Sequence, residues 1–184
     1  MTTFLIDTCV LSETSKVRPH PNVVRFVEQA NNLAIPLGAL VEIHLGIARL
    51  CSRSPGKAIR LSAWYHELLA VGIPIAQTTT EVAEVWGVLA ADARLQGLLV
   101  SRESSKKSRL GQDLHIAAAA LVHRMSIATF NVKDFLLIDS CYPLPGIYDP
   151  LTNIWHARYS RLDWQEIGQE PEIEPHETDS GFQM

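Results

Sequence analysis

The sequence predicts an α/β fold with a short, mostly parallel central sheet covered by helices on both faces. Short apolar segments of strand length alternate with longer segments of helical periodicity along residues 1–150 of the 184-residue chain. This alternation is typical of parallel sheets. Polar residues also end some of the apolar segments, as Asp7 does after Phe4-Leu5-Ile6. The length predicts one domain, placed at residues 1–150, and the chain shows no internal repeat.

The strands are predicted where brief apolar segments end at polar residues, proline or glycine. Pro36 favours an edge position or an early end for the second strand, because proline cannot donate to a ladder. The predicted strands are Phe4–Asp7, Leu33–Leu37, Gly72–Ile75, Ile127–Phe130 and Leu144–Tyr148.

The helices are predicted from apolar residues that recur at three- and four-residue spacing. Thr80 is the expected N-cap of one helix, and Gly97 is its expected stop. The predicted helices are Pro21–Ala30, Gly38–Cys51, Lys57–Val71, Thr80–Gln96 and Asp113–His123.

Two segments depart from this alternation. Residues 101–109 are polar and serine-rich, so they are expected to form an exposed loop. Residues 151–184 are expected to form a C-terminal extension, and the aromatic residues of 151–164 could pack a short element onto the body or a partner. From Gln165 onward there are six acids and no Lys or Arg, a composition that predicts disorder.

The composition, 47% hydrophobic and 20% charged, is that of an ordinary globular chain. No apolar segment approaches the roughly 18–20 residues of a membrane span, and the start lacks a basic region, so we expect a cytoplasmic protein without a signal peptide. The three cysteines are widely spaced and form no CxxC pair, which fits a reducing compartment and gives no zinc motif. The net charge is −4, but residues 1–150 hold 14 basic against 13 acidic residues, so the body could accept a polyanion.

Four carboxylates occupy junctions from which side chains can project into a shared cleft. Asp7 ends the first strand, Glu42 lies in an apolar helical stripe, Asp113 opens the alanine-rich helix, and Asp134 follows Asn131 after a later strand. Asp7 and Asn131 are expected at the same edge of the sheet, where the carboxyl ends of parallel strands meet. Such oxygen ligands suit a hard divalent cation. The leading interpretation is therefore metal-assisted hydrolysis of phosphodiesters.

Each of these residues also has an ordinary structural explanation. Asp7 could bind the backbone of a turn. Glu42 could pair with Arg or Lys, or simply lie exposed on the polar edge of its helix. Asp113 could cap its own helix or lie in the first turn. Asn131 could cap a short helix that carries Asp134 in its first turn. The joint arrangement, rather than any single acid, favours a site.

The four acids lie in four segments whose order and spacing form a pattern: Leu5–Glu13 (LIDTCVLSE), Val41–Ala48 (VEIHLGIA), Asp113–Ala118 (DLHIAA) and Thr129–Phe135 (TFNVKDF). This pattern resembles the PIN-domain family and, within it, the VapC/FitB-like toxin ribonucleases of type II toxin–antitoxin systems. The resemblance covers about residues 3–150.

This resemblance implies a compact PIN-like fold and a metal-dependent endoribonuclease that hydrolyses RNA with activated water. It implies a homodimer and a cognate small antitoxin. The chain would contact DNA only indirectly, through that antitoxin. One or two Mg²⁺ or Mn²⁺ ions would be held by the catalytic acids, with further polar residues in support. The implied catalytic and metal-binding residues are Asp7, Glu42, Asp113 and Asp134, and the supporting residues are Thr8, Thr129 and Asn131.

Two features depart from the family pattern. Cys9 stands where the family usually has Asn, and a thiol is a poor replacement for a hydrogen-bonding amide. Cys9 therefore favours the alternative of a PIN-like module that binds RNA or a partner without cutting. The segment 101–109 is longer and more basic than usual, and its cations could contact RNA phosphates or simply be solvated. These cations are Arg102, Lys106, Lys107 and Arg109.

An aspartyl phosphotransferase would also place an acid at Asp7. A haloacid-dehalogenase type expects a second acid two positions later, where Cys9 stands, and a response-regulator receiver expects paired acids that this chain lacks. Both classes are therefore disfavoured. His115 follows Asp113 by two residues, so it is expected off the metal-facing side of the helix.

Overall fold

The computed structural model describes residues 2–99 and 111–159, in which strands and helices alternate as expected. The strands are β1 (Phe4–Ile6), β2 (Leu33–Pro36), β3 (Ile75–Ala76), β4 (Ser126–Ala128), β5 (Gly146–Asp149) and β6 (Ile154–Arg158). The helices are α1 (Thr8–Thr14), α2 (Pro21–Gln29), α3 (Leu37–Cys51), α4 (Pro55–Ala70), α5 (Thr80–Ala91), α6 (Gln96–Leu99), α7 (Gln112–His123) and α8 (Val132–Asp139). The predicted loop 101–109 and the acidic segment from Gln165 lie outside the described residues.

The strands of the described residues form a six-stranded sheet in the order β3-β2-β1-β4-β5-β6. β1 pairs in parallel with β2 and β4, and the parallel ladder continues from β2 to β3 and from β4 to β5. β6 pairs antiparallel with β5. The mostly parallel α/β architecture predicted from the sequence is confirmed.

Helices cover both faces of the sheet because successive strand residues point to opposite sides. Leu5 of β1 belongs to the core that packs under α5, α7 and α8. Ile6, the next residue, belongs to the core that packs under α1, α2, α3 and α4. Within the described residues, no helix has the length and hydropathy that a membrane span requires.

The predicted helix Thr80–Gln96 is wrong in its capping and its length. Thr79, not Thr80, is the N-cap, and its hydroxyl accepts a hydrogen bond from the Val82 amide at 3.4 Å. The helix ends at Ala91 because Asp92 takes an extended conformation and caps a new 3-10 turn, accepting from the Arg94 amide at 2.9 Å. Gly97 therefore lies inside the short helix α6 rather than ending a long one.

The sequence missed α1 as a regular element, whereas the short element expected within 151–164 is present as β6, which pairs with β5. β2 is paired on both sides, and Pro36 is its last residue, so the early end was right and the edge position wrong. β6 forms the sheet edge instead, with Trp155 packed against the rings of Phe4 and Tyr148 at centroid distances of 5.5 and 5.1 Å. These partners come from distant segments, so the local pattern of 151–159 did not reveal them.

Candidate active site

A cavity of about 720 Å³ opens where the chain leaves the carboxyl ends of β1 and β4. Asp7 follows β1 directly, and Asn131 follows β4 by three residues. The cavity is lined by all four acids that the sequence singled out: Asp7, Glu42, Asp113 and Asp134. The fold thus brings together side chains that lie more than 120 positions apart in the chain.

Asp7 is held by groups from both strand ends. Its side chain is buried, and Oδ1 accepts a hydrogen bond from the backbone N–H of Thr8 at 2.6 Å, as a helix N-cap does. Oδ2 accepts a hydrogen bond from the Thr129 hydroxyl, also at 2.6 Å. Asp7 thus binds turn backbone, which was its ordinary structural explanation, and it also lines the cavity. The two hydrogen bonds fix the orientation of the carboxylate.

Cys9 takes part in the same network. Its thiol donates to Asp7 Oδ2 at 2.9 Å, and its sulfur accepts from the backbone N–H of Phe130 at 3.2 Å. Burial, then the negative charge of Asp7 and the hydrogen bond to it, raise the pKa of the Cys9 thiol well above its usual range. The thiol therefore stays protonated and can act as a donor. Although a thiol was expected to replace a hydrogen-bonding amide poorly, Cys9 makes hydrogen bonds at this position.

Asn131 joins the helix of Asp113 to the end of β4. Its side-chain amide donates to Asp113 Oδ2 at 3.2 Å, and its backbone N–H donates to the Thr129 hydroxyl at 2.8 Å. Asn131 stands at the N-cap position of α8, but its side chain makes no capping bond. The amide is turned toward Asp113 instead, which supports a role in the site over the capping alternative.

Glu42 lines the cavity. One helical turn before Glu42, at Gly38, α3 packs closely on α7. A Cβ on Gly38 would lie 2.7 Å from His115 Nδ1 and 2.7 Å from Gln112 Oε1. Only glycine permits that approach, and Gly38 precedes Glu42 by four residues on the same helix face. Gly38 was not predicted as a site residue, although it precedes Glu42, an acid in an apolar helical stripe, by four residues.

His115 does not line the cavity of the four acids. It is buried, its Nε2 lies 2.8 Å from the Thr78 hydroxyl, and its ring packs edge-on against Trp86. Burial lowers the pKa of His115, which favours the neutral ring. The expectation that His115 lies off the metal-facing side of its helix agrees with this position.

Comparison with solved structures identifies the architecture. A chain of FitAcB from Neisseria gonorrhoeae superposes with a TM-score of 0.56, over 80% of this chain and 98% of that chain, at 22% identity. The chain has the PIN-domain fold. A chain of VapBC2 from Rickettsia felis, bound to a DNA fragment from the promoter, matches at a TM-score of 0.54 and 20% identity, over 73% of this chain and 92% of that chain.

A chain of a toxin–antitoxin complex from Klebsiella pneumoniae also shares the PIN-domain fold, with a TM-score of 0.52 and 20% identity over 81% of this chain and 98% of that chain. The sequence matches no family model and no curated protein. At these identities the likeness establishes the fold, and the chemistry has to be argued from the residues of this chain.

Oxygen donors that suit Mg²⁺ or Mn²⁺ line the cavity, namely carboxylates, the Asn131 side-chain amide and the Thr8 hydroxyl, and the Cys9 thiol and the Lys16 ammonium line it as well. Across residues 2–99 and 111–159, no three His, Cys, Asp or Glu side chains converge on a common metal position. Magnesium is commonly held by one or two carboxylates and completes its shell with water and substrate phosphates. A closed protein cage is therefore not needed for such an ion.

The supporting residues have different positions around the PIN-fold cavity. Thr8 lines it, and the Thr8 hydroxyl is buried without a hydrogen-bond partner among the described residues. Asn131 lines it, whereas Thr129 lies behind Asp7 and acts through that carboxylate. The candidate RNA contacts lie outside the described residues: Arg102, Lys106, Lys107 and Arg109.

Proposed function

We propose that this chain is a metal-dependent endoribonuclease and the toxin of a type II toxin–antitoxin pair. The observation that carries the proposal is that four carboxylates line one cavity, two of them held by Thr129 and Asn131. The structural likeness to toxin–antitoxin complexes supports the toxin role. By the same resemblance, the partners are an RNA substrate, a small antitoxin and a second copy of this chain.

The four acids would divide the work of holding Mg²⁺ or Mn²⁺. Bound there, the ion supplies a water of lowered pKa and offsets charge on the scissile phosphate. Asp7 and Asp113 are the firmest ligands, because Thr129 and Asn131 orient their oxygens. Glu42 would reach the ion from α3. Asp134, in the first turn of α8, is assigned a contact through water.

Cleavage assays test this proposal. Purified protein is incubated with Mg²⁺ or Mn²⁺ and a mixed RNA pool, alongside Asp7→Asn, Asp113→Asn and the exposed control Glu84→Gln. Loss of a metal ligand is expected to reduce cleavage by about 100-fold or more, with Glu84→Gln unaffected. Equal degradation by wild type and the two Asn variants would refute the nuclease assignment, since it would indicate a contaminant.

The toxin assignment has its own test, which is growth of cells that express the chain. Growth arrest that Asp7→Asn and Asp113→Asn both abolish is the expected result. Binding of RNA without cleavage in any divalent metal would instead assign the non-catalytic PIN-like module. Cys9 favours that second function at the level of sequence, whereas its contact with Asp7 removes the main physical objection to catalysis.

A further inference from the structure

The cavity extends away from the carboxylates along one face of α3. Glu42, Gly46 and Leu50 follow one another at four-residue spacing, and all three line the cavity. We call the part beyond Glu42 the distal cleft. Helix α4 contributes Leu61 and Trp64 to its lining. The distal cleft therefore has an apolar lining and follows α3 toward the turn that joins α3 to α4.

The two helices that line the distal cleft carry an excess of positive charge. Residues 43–66, which include most of α3, the turn and most of α4, contain no Asp or Glu. The same residues contain four Lys or Arg side chains, all of them exposed. Like charges placed close together repel one another and attract an acidic ligand. These four cations are Arg49, Arg53, Lys57 and Arg60.

The spacing of the cations places them beside the distal cleft. Lys57 and Arg60 each precede by four residues one of the two α4 side chains that line the cleft. Arg49 follows Gly46 by three residues on α3. Residues three or four apart lie on the same face of a helix. The cations therefore border the cleft on both helices.

These cations are free to pair with an acidic ligand. Among residues 2–99 and 111–159, no acid lies within ion-pair distance of any of the four. Lys16 also lines the cavity, but Glu13 pairs with it, so Lys16 is not counted with them. The surface therefore combines an apolar cleft with four cations that lack a partner in the described part of the chain.

The C-terminal residues 160–184, which lie outside the described residues, have the complementary composition. We call them the acidic tail. They contain seven acids and one Arg, a net charge of −6. Four large apolar side chains are interspersed with the acids: Trp164, Ile167, Ile173 and Phe182. An apolar cleft bordered by cations suits such a segment, whereas the carboxylate end of the cavity would repel it.

The acidic tail is long enough to reach the distal cleft of its own chain. The described residues end at Tyr159, directly after β6 at one edge of the sheet. The 25 residues that follow can span about 80 Å when extended. A sheet of six strands is about 24 Å wide, and a helix of the length of α3 is about 22 Å long. A path along both is well within that reach.

We propose that the acidic tail docks on the distal cleft of the same chain. Its acids pair with the four cations, and its apolar side chains pack against Leu61 and Trp64. A tail in this position keeps another polyanion from the same surface, so it restrains cleavage of RNA. That consequence rests on the proposed ribonuclease function, whereas the contact between tail and cleft does not.

A synthetic peptide of residues 160–184 tests the contact without RNA or metal. The fluorescein-labelled peptide is titrated with full-length wild type and with a full-length tail-neutralised chain, and Kd is read by anisotropy in EDTA. A tethered segment acts at an effective concentration of about 1 mM. The peptide should therefore bind wild type about tenfold more weakly than the tail-neutralised chain. The latter carries Glu166→Gln, Glu170→Gln, Glu172→Gln, Glu174→Gln, Glu177→Gln and Asp179→Asn.

Two double variants of the tail-neutralised chain locate the contact. Lys57→Gln with Arg60→Gln removes two cations beside the cleft, and Arg25→Gln with Arg124→Asn removes two exposed cations elsewhere. The first pair should weaken peptide binding by about threefold or more at low salt, with the second pair unchanged. Circular dichroism establishes that each variant is folded.

Three results would overturn the proposal. The first is equal affinity of the peptide for wild type and the tail-neutralised chain, since the cleft would then be open in the wild type. The second is an equal loss in the two double variants, because the contact would then lie elsewhere. The third is a loss of binding to single-stranded RNA, but not to the peptide, in Lys57→Gln with Arg60→Gln, which would assign the cations to RNA.

Cleavage assays with Mg²⁺ or Mn²⁺ separate this inference from the proposed function. If wild type cuts RNA, the tail-neutralised chain should cut it about tenfold faster, and equal rates would overturn the restraint. If neither chain cuts RNA, the ribonuclease assignment fails, and peptide binding alone decides whether the tail occupies the cleft.

Discussion

Helix α3 has a glycine one turn before Glu42 and another one turn after it, and the surroundings of the two glycines are opposite. Gly38 lies one turn before Glu42, and a Cβ there would lie 2.7 Å from a buried ring nitrogen of His115. Gly46 lies one turn after Glu42, and nothing within 4 Å would meet its Cβ. The first glycine lets two helices pack closely, whereas the second leaves a cavity wall open.

This contrast extends to the whole site. On the side of Gly38, the carboxylates of Asp7 and Asp113 are held in fixed orientation by Thr129 and Asn131. On the side of Gly46, the helix backbone faces open space. The site therefore has a packed half, suited to holding reacting groups in place, and an open half, suited to receiving a ligand.

The largest expected effect comes from the packed half. Thr129→Val keeps the side-chain shape but removes the hydroxyl. That hydroxyl donates to Asp7 and accepts from the backbone N–H of Asn131. Leaving a buried carboxylate and N–H short of partners should lower the free energy of unfolding by about 2–3 kcal/mol. Cleavage should fall by about 10–100-fold. Urea denaturation measures the free energy of unfolding, and an RNA assay measures cleavage. Thr80→Val, at an exposed threonine, is the control. Equal losses of stability and cleavage in the two variants would contradict the view that Thr129 fixes Asp7.

The next effect tests the first glycine. Gly38→Ala should force His115 or α3 to shift, because the added Cβ overlaps the ring. Overpacking costs typically 1–3 kcal/mol, and alanine returns about 0.5–1 kcal/mol of helix propensity. A net loss of about 1–2 kcal/mol is expected in urea denaturation, with reduced cleavage because Glu42 moves. Unchanged stability and activity would show that the close packing is not needed.

The second glycine should respond with the opposite sign. Gly46→Ala removes the entropic cost of glycine and meets no neighbour, so stability should rise by about 0.5–1 kcal/mol. Gly87→Ala on α5 is the matched control and should give a similar gain. Thermal denaturation compares the two. A loss of stability in Gly46→Ala alone would mean that the cleft wall is more crowded than the structure shows.

The smallest expected effect concerns pH at the cavity rim. Glu13 accepts from the His20 amide at 3.0 Å and pairs with Lys16. The hydrogen bond from Lys16 chiefly lowers the Glu13 pKa below its ordinary value of 4.5. A lowered folded-state pKa means that the stabilisation is present above 4.5 and is lost as the pH falls through the folded value.

Glu13→Gln should therefore be less stable than wild type at neutral pH, and the difference should shrink as the pH falls below 4.5. Because Lys16 is 60% exposed, solvent screening should keep the difference below about 1 kcal/mol. Urea denaturation at about pH 7 and about pH 3 gives the comparison. A difference that persists at the lower pH would assign the effect to packing of the Glu13 side chain instead.

Much of this architecture could be predicted from local pattern. The alternation of short apolar segments with helical stripes predicts the parallel sheet, because each segment must bury one or two faces. The acids at Asp7, Glu42, Asp113 and Asp134 were recognisable from their places at strand ends and helix starts. Adjacent Leu5 and Ile6, which point into separate cores, are an example of a short apolar strand buried on both faces.

The errors occurred where a residue's neighbours decided its role. The break at Asp92 interrupts a segment of good helix formers, and only the cap that Asp92 gives to Arg94 explains it. Trp155 joins a strand because the rings of Phe4 and Tyr148 are there to cover it. Cys9 was judged a weak substitute, since the Phe130 amide that completes its bonding lies far along the chain.

The sequence by itself determined the element types, their order and the acids that could form a site, since propensity and periodicity are properties of neighbouring residues. Only the tertiary structure decided how those acids are held and what space lies beside them. Gly38 and Gly46 were indistinguishable as letters in one helix. The presence of α7 beside the first and of open space beside the second makes one a packing contact and the other a cleft wall.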